Sequence, residues 1–283
     1  MNEKGLGKRL QEARQAAGLT QQQLCQKANL SFSTLTKIER GAIKSPSIFT
    51  IQSIAEALQT TIDTLLGLSS SALAEQRKLH RTKNGASFIY FDLNGCLVRY
   101  YHRAFAEIAL VTGRPIENIE MIYLQYNDAV CRGTMSMSDF NETMASRLGV
   151  PSIDWGEYYL DAAEPVEAMH ELLVWAADYY RVGLLTNGMP GLLEGLKKRG
   201  KIPDLPYEVV IDSSQVGCIK PEKAIYDLAV EKAGVPEAEI MLIDDTMGNL
   251  AAVQDRGWQV MLFDTGLPEE SSKDIREVLT PAE

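Results

Sequence analysis

At 283 residues with 45% hydrophobic side chains, the chain is long enough for about two domains, each with its own core. Cysteines 25, 96, 131 and 218 form no CxxC pair and no Cys/His cluster, which argues against a disulfide framework or a structural zinc site and fits a reduced, cytoplasmic protein. The net charge of −10 is unevenly spread: residues 1–85 hold 12 Lys/Arg and 6 Asp/Glu against 16 and 32 in the remainder, so a basic head joins an acidic body.

The start, Met1 to Arg9, is polar and lacks the apolar stretch of a signal peptide. No apolar run approaches bilayer-crossing length, so no membrane partner is expected. Residues 6–66 read as short helices with tight turns. Thr20 followed by Gln23 is a capping-box signature, and Leu24 and Ala28 share the face of the helix it opens. Asn29 stands where the chain needs a left-handed residue. Leu30, Leu35 and Ile38 turn a second short helix inward and leave Phe32, Ser33, Thr34 and Lys37 facing out, and Gly41 ends it. Two short helices, a tight turn and outward polar residues make a helix-turn-helix.

Thr20-Gln21, Leu24, Ala28, Ser31, Ile38-Glu39-Arg40-Gly41, Pro46 and Leu58, with Thr64-Leu65-Leu66 closing, resemble the Cro/repressor-type helix-turn-helix domain over residues 6–66. The resemblance implies five helices and binding to a double-stranded DNA operator as a homodimer. It puts Phe32, Ser33, Thr34 and Lys37 at the major groove and Gln21, Lys44 and Ser45 near phosphate. Helix N-terminal amides attract phosphate, and Ser, Thr and Lys reach base edges. Cys25 and Asn29 replace the family's usual Ala and Gly.

Residues 69–86, from Ser69-Ser-Ser to the basic stretch Arg77–Gly85, read as a linker between a domain over 1–68 and a domain over 87–283. From Ser87, short apolar runs at Phe88–Phe91, Val182–Leu185, Val209–Ile211, Ile240–Ile243 and Val260–Phe263 alternate with helical periods, as in a parallel α/β sheet. Helical segments around Tyr101–Gly113, Glu117–Cys131, Ser138–Leu148 and Trp155–Leu160 fill the long gap between the first two runs and predict a helical insertion over about 100–166. Trp155, Tyr158 and Tyr159 are expected to pack the core of that insertion.

In open α/β sheets, chemistry gathers at the C-terminal ends of the strands. The runs are followed in order by Asp92-Leu93-Asn94, Thr186-Asn187, Lys220 and Asp244-Asp245 with Asn249. A carboxylate nucleophile, a hydroxyl, an ammonium and an acid pair are the parts that phosphoryl transfer through an aspartyl group needs. The set resembles the haloacid dehalogenase superfamily over about residues 87–265, with a Rossmann-like sheet and a small helical cap. The resemblance implies Asp92 as nucleophile, Thr186 with Asn187 and Lys220 holding phosphate, and Lys220 also neutralising the nucleophile. It implies Mg2+ at Asp92, the main-chain oxygen of Asn94 and the Asp244-Asp245 pair.

The departure is Asn94, where the family carries a second Asp that passes a proton to the leaving group and takes one from water. General acid–base catalysis is worth about 10²–10⁴ in rate, so phosphate and Mg2+ binding should survive this change better than turnover. The expectation is a transcriptional regulator with an effector domain for a small phosphorylated metabolite. The alternatives are a Mg-dependent phosphatase of small phosphomonoesters, its helix-turn-helix serving autoregulation or localisation, and a scaffold whose site has decayed.

Overall fold

A computed structural model describes residues 3–43, 46–58, 60, 62, 65, 79–99 and 102–281. The chain divides into two compact units, residues 1–78 and 79–283. Among the described residues no helix is long and apolar enough to cross a membrane.

The first unit holds α1 (Glu3–Ala16), α2 (Gln21–Lys27), α3 (Phe32–Glu39) and α4 (Ile48–Ala57). Most of the fifth expected helix, with Thr64 and Leu66, and also Lys44 and Ser45, lies outside the described residues. Thr20 caps α2 by accepting from the Gln23 amide while the Gln23 side chain accepts from the Thr20 amide. Ser31 caps α3 by accepting from the Thr34 amide. Such caps are each worth about 1 kcal/mol. Asn29 is left-handed at φ 51°, and this sharp corner sets α2 against α3. Leu10, Leu24, Leu35, Ile38, Ile51 and Ile54 form the core. A Cβ on Gly7 would lie 2.4 Å from the Ile38 carbonyl oxygen, so α1 can approach α3 closely only without a side chain there.

The second unit is a five-stranded parallel sheet in the order β3-β2-β1-β4-β5, with β1 (Phe88–Phe91), β2 (Arg181–Thr186), β3 (Val209–Asp212), β4 (Ile240–Asp244) and β5 (Gln259–Leu262). Side chains alternate across it, as the strand period of two requires. Phe88, Tyr90, Ile240 and Leu242 pack one face, Ile89, Phe91, Met241 and Ile243 the other. Between β1 and β2 come α5 (His102–Thr112), α6 (Ile116–Cys131), α7 (Met137–Leu148) and α8 (Trp155–Ala162), followed by α9 (Glu167–Tyr179). The first four are the helical insertion. Trp155, Phe105, Tyr123 and Phe140 meet at its centre with ring centroids 4.8–6.4 Å apart. Past β2 lie α10 (Leu192–Lys198), α11 (Ser213–Val216), α12 (Lys223–Ala233), α13 (Met247–Gln254) and α14 (Pro268–Leu279).

The end of the stretch read as linker belongs to this second unit. The His80 amide donates to the Tyr179 carbonyl at 2.8 Å, Arg81 pairs with Glu239 at 2.8 Å, and Thr82 binds the Ala86 amide. Basic composition suggested a solvated tether, but its acidic partner lies far away in the sequence.

Candidate functional site

Register brings the second unit's polar residues together. Phe91 pairs with Leu184 on one side and Ile243 on the other, so β1, β2 and β4 end at one sheet edge. Strand order reverses at β1, and a crevice forms there in such sheets. Asp92, Thr186 and Asp244 are the residues delivered to it. The loop after α11 returns Lys220 into the same place.

Lys220 Nζ donates to Asp92 Oδ1 at 2.7 Å and to Asp244 Oδ2 at 2.6 Å, with all three side chains buried. Burial alone would lower the ammonium, but Asp244 and Asp92 outweigh it and hold Lys220 above its ordinary value, hence charged. Burial pushes the Asp92 carboxyl up to about 7; Lys220 opposes this and Asp244 reinforces it. Burial and the neighbouring Asp244 also raise half-buried Asp245. One ammonium thus faces three carboxylates, and the surplus is negative.

Two sequence expectations change here. Asp244, expected among the metal ligands, has both oxygens engaged by Lys220, Asn249 and the Thr246 amide, so it positions the lysine. Asn187, expected beside phosphate, spends its acceptor and a donor on the Lys220 main chain at 2.7 and 2.9 Å, so its side chain anchors the lysine loop. Asn94 Nδ2 donates to the Asn187 carbonyl at 3.3 Å, and Asn94 Oδ1 accepts from the Tyr159 hydroxyl of the insertion. Tyr159 therefore does more than pack the core: it links the helical insertion to the first motif.

Among the described residues the buried Thr186 hydroxyl has no hydrogen-bond partner. Buried hydroxyls are nearly always bonded, so an orphan donor at this edge suits a site for an anion. Asp92 Oδ2 accepts no hydrogen bond among the described residues, and carboxylate oxygens of Asp92 and Asp245 lie within 4.8 Å of each other. That donor set and the negative surplus fit a hard divalent cation. Asp92, Asp245 and the Asn94 main-chain oxygen would hold Mg2+, which would supply positive charge to phosphoryl oxygens. A cavity of about 150 Å3 opens here, lined by Asp92, Asn94, Asn187 and Lys220 and, from α6, by Tyr123 and Asn127. Sequence reading missed Tyr123 and Asn127. Their spacing of four puts both on one helix face, but only the fold shows that the face looks at the core.

In the first unit, Phe32, Ser33 and Lys37 are exposed on α3 and Thr34 is half-buried. Thr34 Oγ1 and Ser33 Oγ both share hydrogen bonds with Ser31 Oγ, at 2.7 and 3.0 Å. Gln21 departs from expectation. Its amide nitrogen donates to Glu39 at 2.7 Å, and Glu39 pairs with Arg14 at 2.7 Å in a buried network, so that donor is turned inward rather than toward a phosphate.

The family models agree with this geometry. Residues 10–65 match the helix-turn-helix model, and residues 86–255 match that of the haloacid dehalogenase-like hydrolases. The chain belongs to the haloacid dehalogenase-like hydrolases. It is 26% identical to "Phosphatase MT3486" of Mycobacterium tuberculosis over 199 residues, covering 63% of this chain and 87% of that protein. It is 29% identical to the pyrimidine 5'-nucleotidase YjjG of Escherichia coli over 110 residues, covering 37% of this chain and 48% of that one; the chain thus spans about half the length of the nucleotidase. Among solved structures, a HAD family enzyme of Bacteroides thetaiotaomicron in complex with magnesium and inorganic phosphate superposes with a TM-score of 0.56 at 20% identity, covering 64% of this chain and 96% of that one. A HAD-like hydrolase from Porphyromonas gingivalis gives 0.55 at 20%, over 68% and 98%. Both share the fold.

Proposed function

We propose that the chain is a DNA-binding transcriptional regulator, acting as a cytoplasmic homodimer, whose haloacid dehalogenase-like domain binds a small phosphorylated metabolite together with Mg2+. One observation carries the effector part. The binding elements are complete: a charged Lys220 on Asp92, an uncommitted Asp92 oxygen beside Asp245, and an orphan Thr186 hydroxyl. The proton-carrying element is not, because Asn94 stands there with its acceptor spent on Tyr159. Such a site supports binding more than turnover. On α3, Phe32, Ser33, Thr34 and Lys37 meet the major groove. Operator affinity measured with and without a panel of phosphorylated metabolites plus Mg2+ tests this. A ligand that binds the operator-bound and free forms unequally shifts affinity; equal affinity across the panel overturns the effector reading.

Asp92 favours a second reading, a phosphatase of small phosphomonoesters. Its carboxylate lines the cavity, where it can attack phosphorus, and two similar proteins are described as a phosphatase and a nucleotidase. Aryl-phosphate hydrolysis with Mg2+ separates the readings. Turnover by the unaltered chain that Asp92→Ala abolishes supports the enzyme. Activity that emerges only in Asn94→Asp, a gain of about 10²-fold or more, supports the sensor.

A further inference from the structure

Phosphoryl transfer through a carboxylate falls into two steps with different needs. In the first, the carboxylate attacks phosphorus and a leaving group departs. In the second, water attacks the aspartyl phosphate, and some group must take the proton of that water. The cavity at the sheet edge is equipped for the first step. Asp92 lines it, held by the Lys220 ammonium at 2.7 Å. The buried Thr186 hydroxyl, without a partner among the described residues, is a donor for a phosphoryl oxygen.

The second step lacks its base. Among the described residues lining the cavity, the side chains besides Asp92 and Lys220 are four carboxamides, the Tyr123 phenol and the Thr246 hydroxyl. Amides and neutral hydroxyls are not bases in the neutral range. Lys220 is held charged by its two acids and cannot accept a proton. Asp245 is not part of that lining and belongs to the cation site. Asn94 is clamped at both ends of its amide, accepting from the Tyr159 hydroxyl and donating to the Asn187 carbonyl at 3.3 Å. The same residue cannot protonate a leaving group, which matters unequally among donors. An alkyl phosphate expels an alkoxide that needs a proton; an acyl phosphate expels a carboxylate that does not.

We propose that Asp92 is a phosphoryl acceptor for small acyl phosphates, and that the aspartyl phosphate persists as the modified state of this domain instead of turning over. A carboxylate oxygen of Asp92 forms the new bond to phosphorus. The bond from phosphorus to the bridging oxygen breaks, and its electron pair leaves with the donor's carboxylate. No proton moves, and nothing is oxidised or reduced. The mark adds charge and acceptor oxygens beside Lys220 and Thr186, and close to the Asn94–Tyr159 bond that joins the insertion to the first motif. The proposal rests on the phosphoryl-binding reading above and adds to it a ligand class and a covalent mark.

The test is the intact mass of the full chain after incubation with acetyl phosphate and Mg2+ and an acid quench. The unaltered chain should gain the mass of one phosphoryl group, and neither Asp92→Ala nor Asp92→Asn should gain it. Glycerol phosphate, whose leaving group needs a proton, should leave the unaltered chain unmarked. Once the donor is removed, Asn94→Asp, which restores a side chain able to carry the proton, should lose the mark faster than the unaltered chain by about 10²-fold or more. Calorimetric titration of the same chain with vanadate and Mg2+ separates two kinds of failure. No mass gain in a chain that binds vanadate overturns the proposal and leaves the binding reading intact. A mark that the unaltered chain loses as fast as Asn94→Asp does also overturns it. A chain that neither gains mass nor binds vanadate overturns both.

Discussion

Each unit buries a cation against acidic side chains, one acid in the first and several in the second, and the balance differs. In the first, Arg14 meets Glu39 with two hydrogen bonds, Gln21 adds a third, and Arg14 also donates to the Leu19 carbonyl at 2.8 Å. Charges match one to one and every partner is a protein group. In the second, among the described residues, Lys220 is the one cation answering Asp92, Asp244 and Asp245, and the Thr186 hydroxyl has no partner. The first network is closed and holds α1, α2 and α3 together. The second is open by one positive charge and one hydrogen bond, which is what a site for a cation and an anion requires. Balance separates structural burial from a binding site; burial alone does not.

The sharpest way to break this contrast is to unbalance the closed network. Arg14→Ala leaves Glu39 buried and uncompensated, which costs about 3–5 kcal/mol. Hydrogen exchange should show α1 and α3 amides losing protection while β1 and β4 keep theirs. Unchanged protection would mean that Arg14–Glu39 is not the closed network described.

The opposite response is expected of the open network. Saturating Mg2+ should stabilise the second unit by about 2.7 kcal/mol at a hundred times its dissociation constant. Asp245→Asn removes surplus negative charge, so it should raise metal-free stability by about 0.5–2 kcal/mol and abolish most of the Mg2+ gain. Thermal unfolding with and without Mg2+ reads both effects. A metal-free variant less stable than the unaltered chain would show that the surplus is not a strain. For the exposed charges of the first unit, Lys37→Ala should weaken binding to a cognate operator by about 1–3 kcal/mol. A titration that shows no change removes Lys37 from the interface.

What the sequence disclosed follows the range of the interactions. The strands were readable because parallel strands buried on both faces are continuous apolar runs, and their ends because Asp92, Thr186 and Asp244 follow those runs directly. The Thr20 cap and the left-handed Asn29 were readable because their partners lie within three residues or in the backbone itself. Long-range pairing was not readable. Gln21 turns to a residue 18 positions away, Tyr159 reaches Asn94 across 65, and Arg81 finds Glu239 only once β4 is in place. Asp244 and Asn187 were assigned to ligands by position, while their hydrogen bonds assign them to Lys220. No local pattern distinguishes a residue that touches a ligand from one that aims its neighbour.

The smallest effect tests the join between the insertion and the sheet edge. Tyr159 is almost wholly buried on α8, and its hydroxyl donates to Asn94 Oδ1 at the rim of the cavity. Tyr159→Phe removes this bond without opening a void and leaves an acceptor unsatisfied, which costs about 0.5–1.5 kcal/mol. Because the bond joins the insertion to the first motif, the loss should appear as faster exchange of α8 amides and weaker binding of vanadate with Mg2+, while the Lys220 network stays intact. Asn94→Asp keeps an acceptor for Tyr159 but sets a carboxylate oxygen against the Asn187 carbonyl, which now receives Asn94 Nδ2 at 3.3 Å. That contact favours the protonated acid, the form a leaving group needs. Hence Asn94→Asp should retain the closure that Tyr159→Phe loses. Loosening in Asn94→Asp with none in Tyr159→Phe would mean that Asn94 is held through its amide nitrogen, and that the tyrosine contributes nothing to the join.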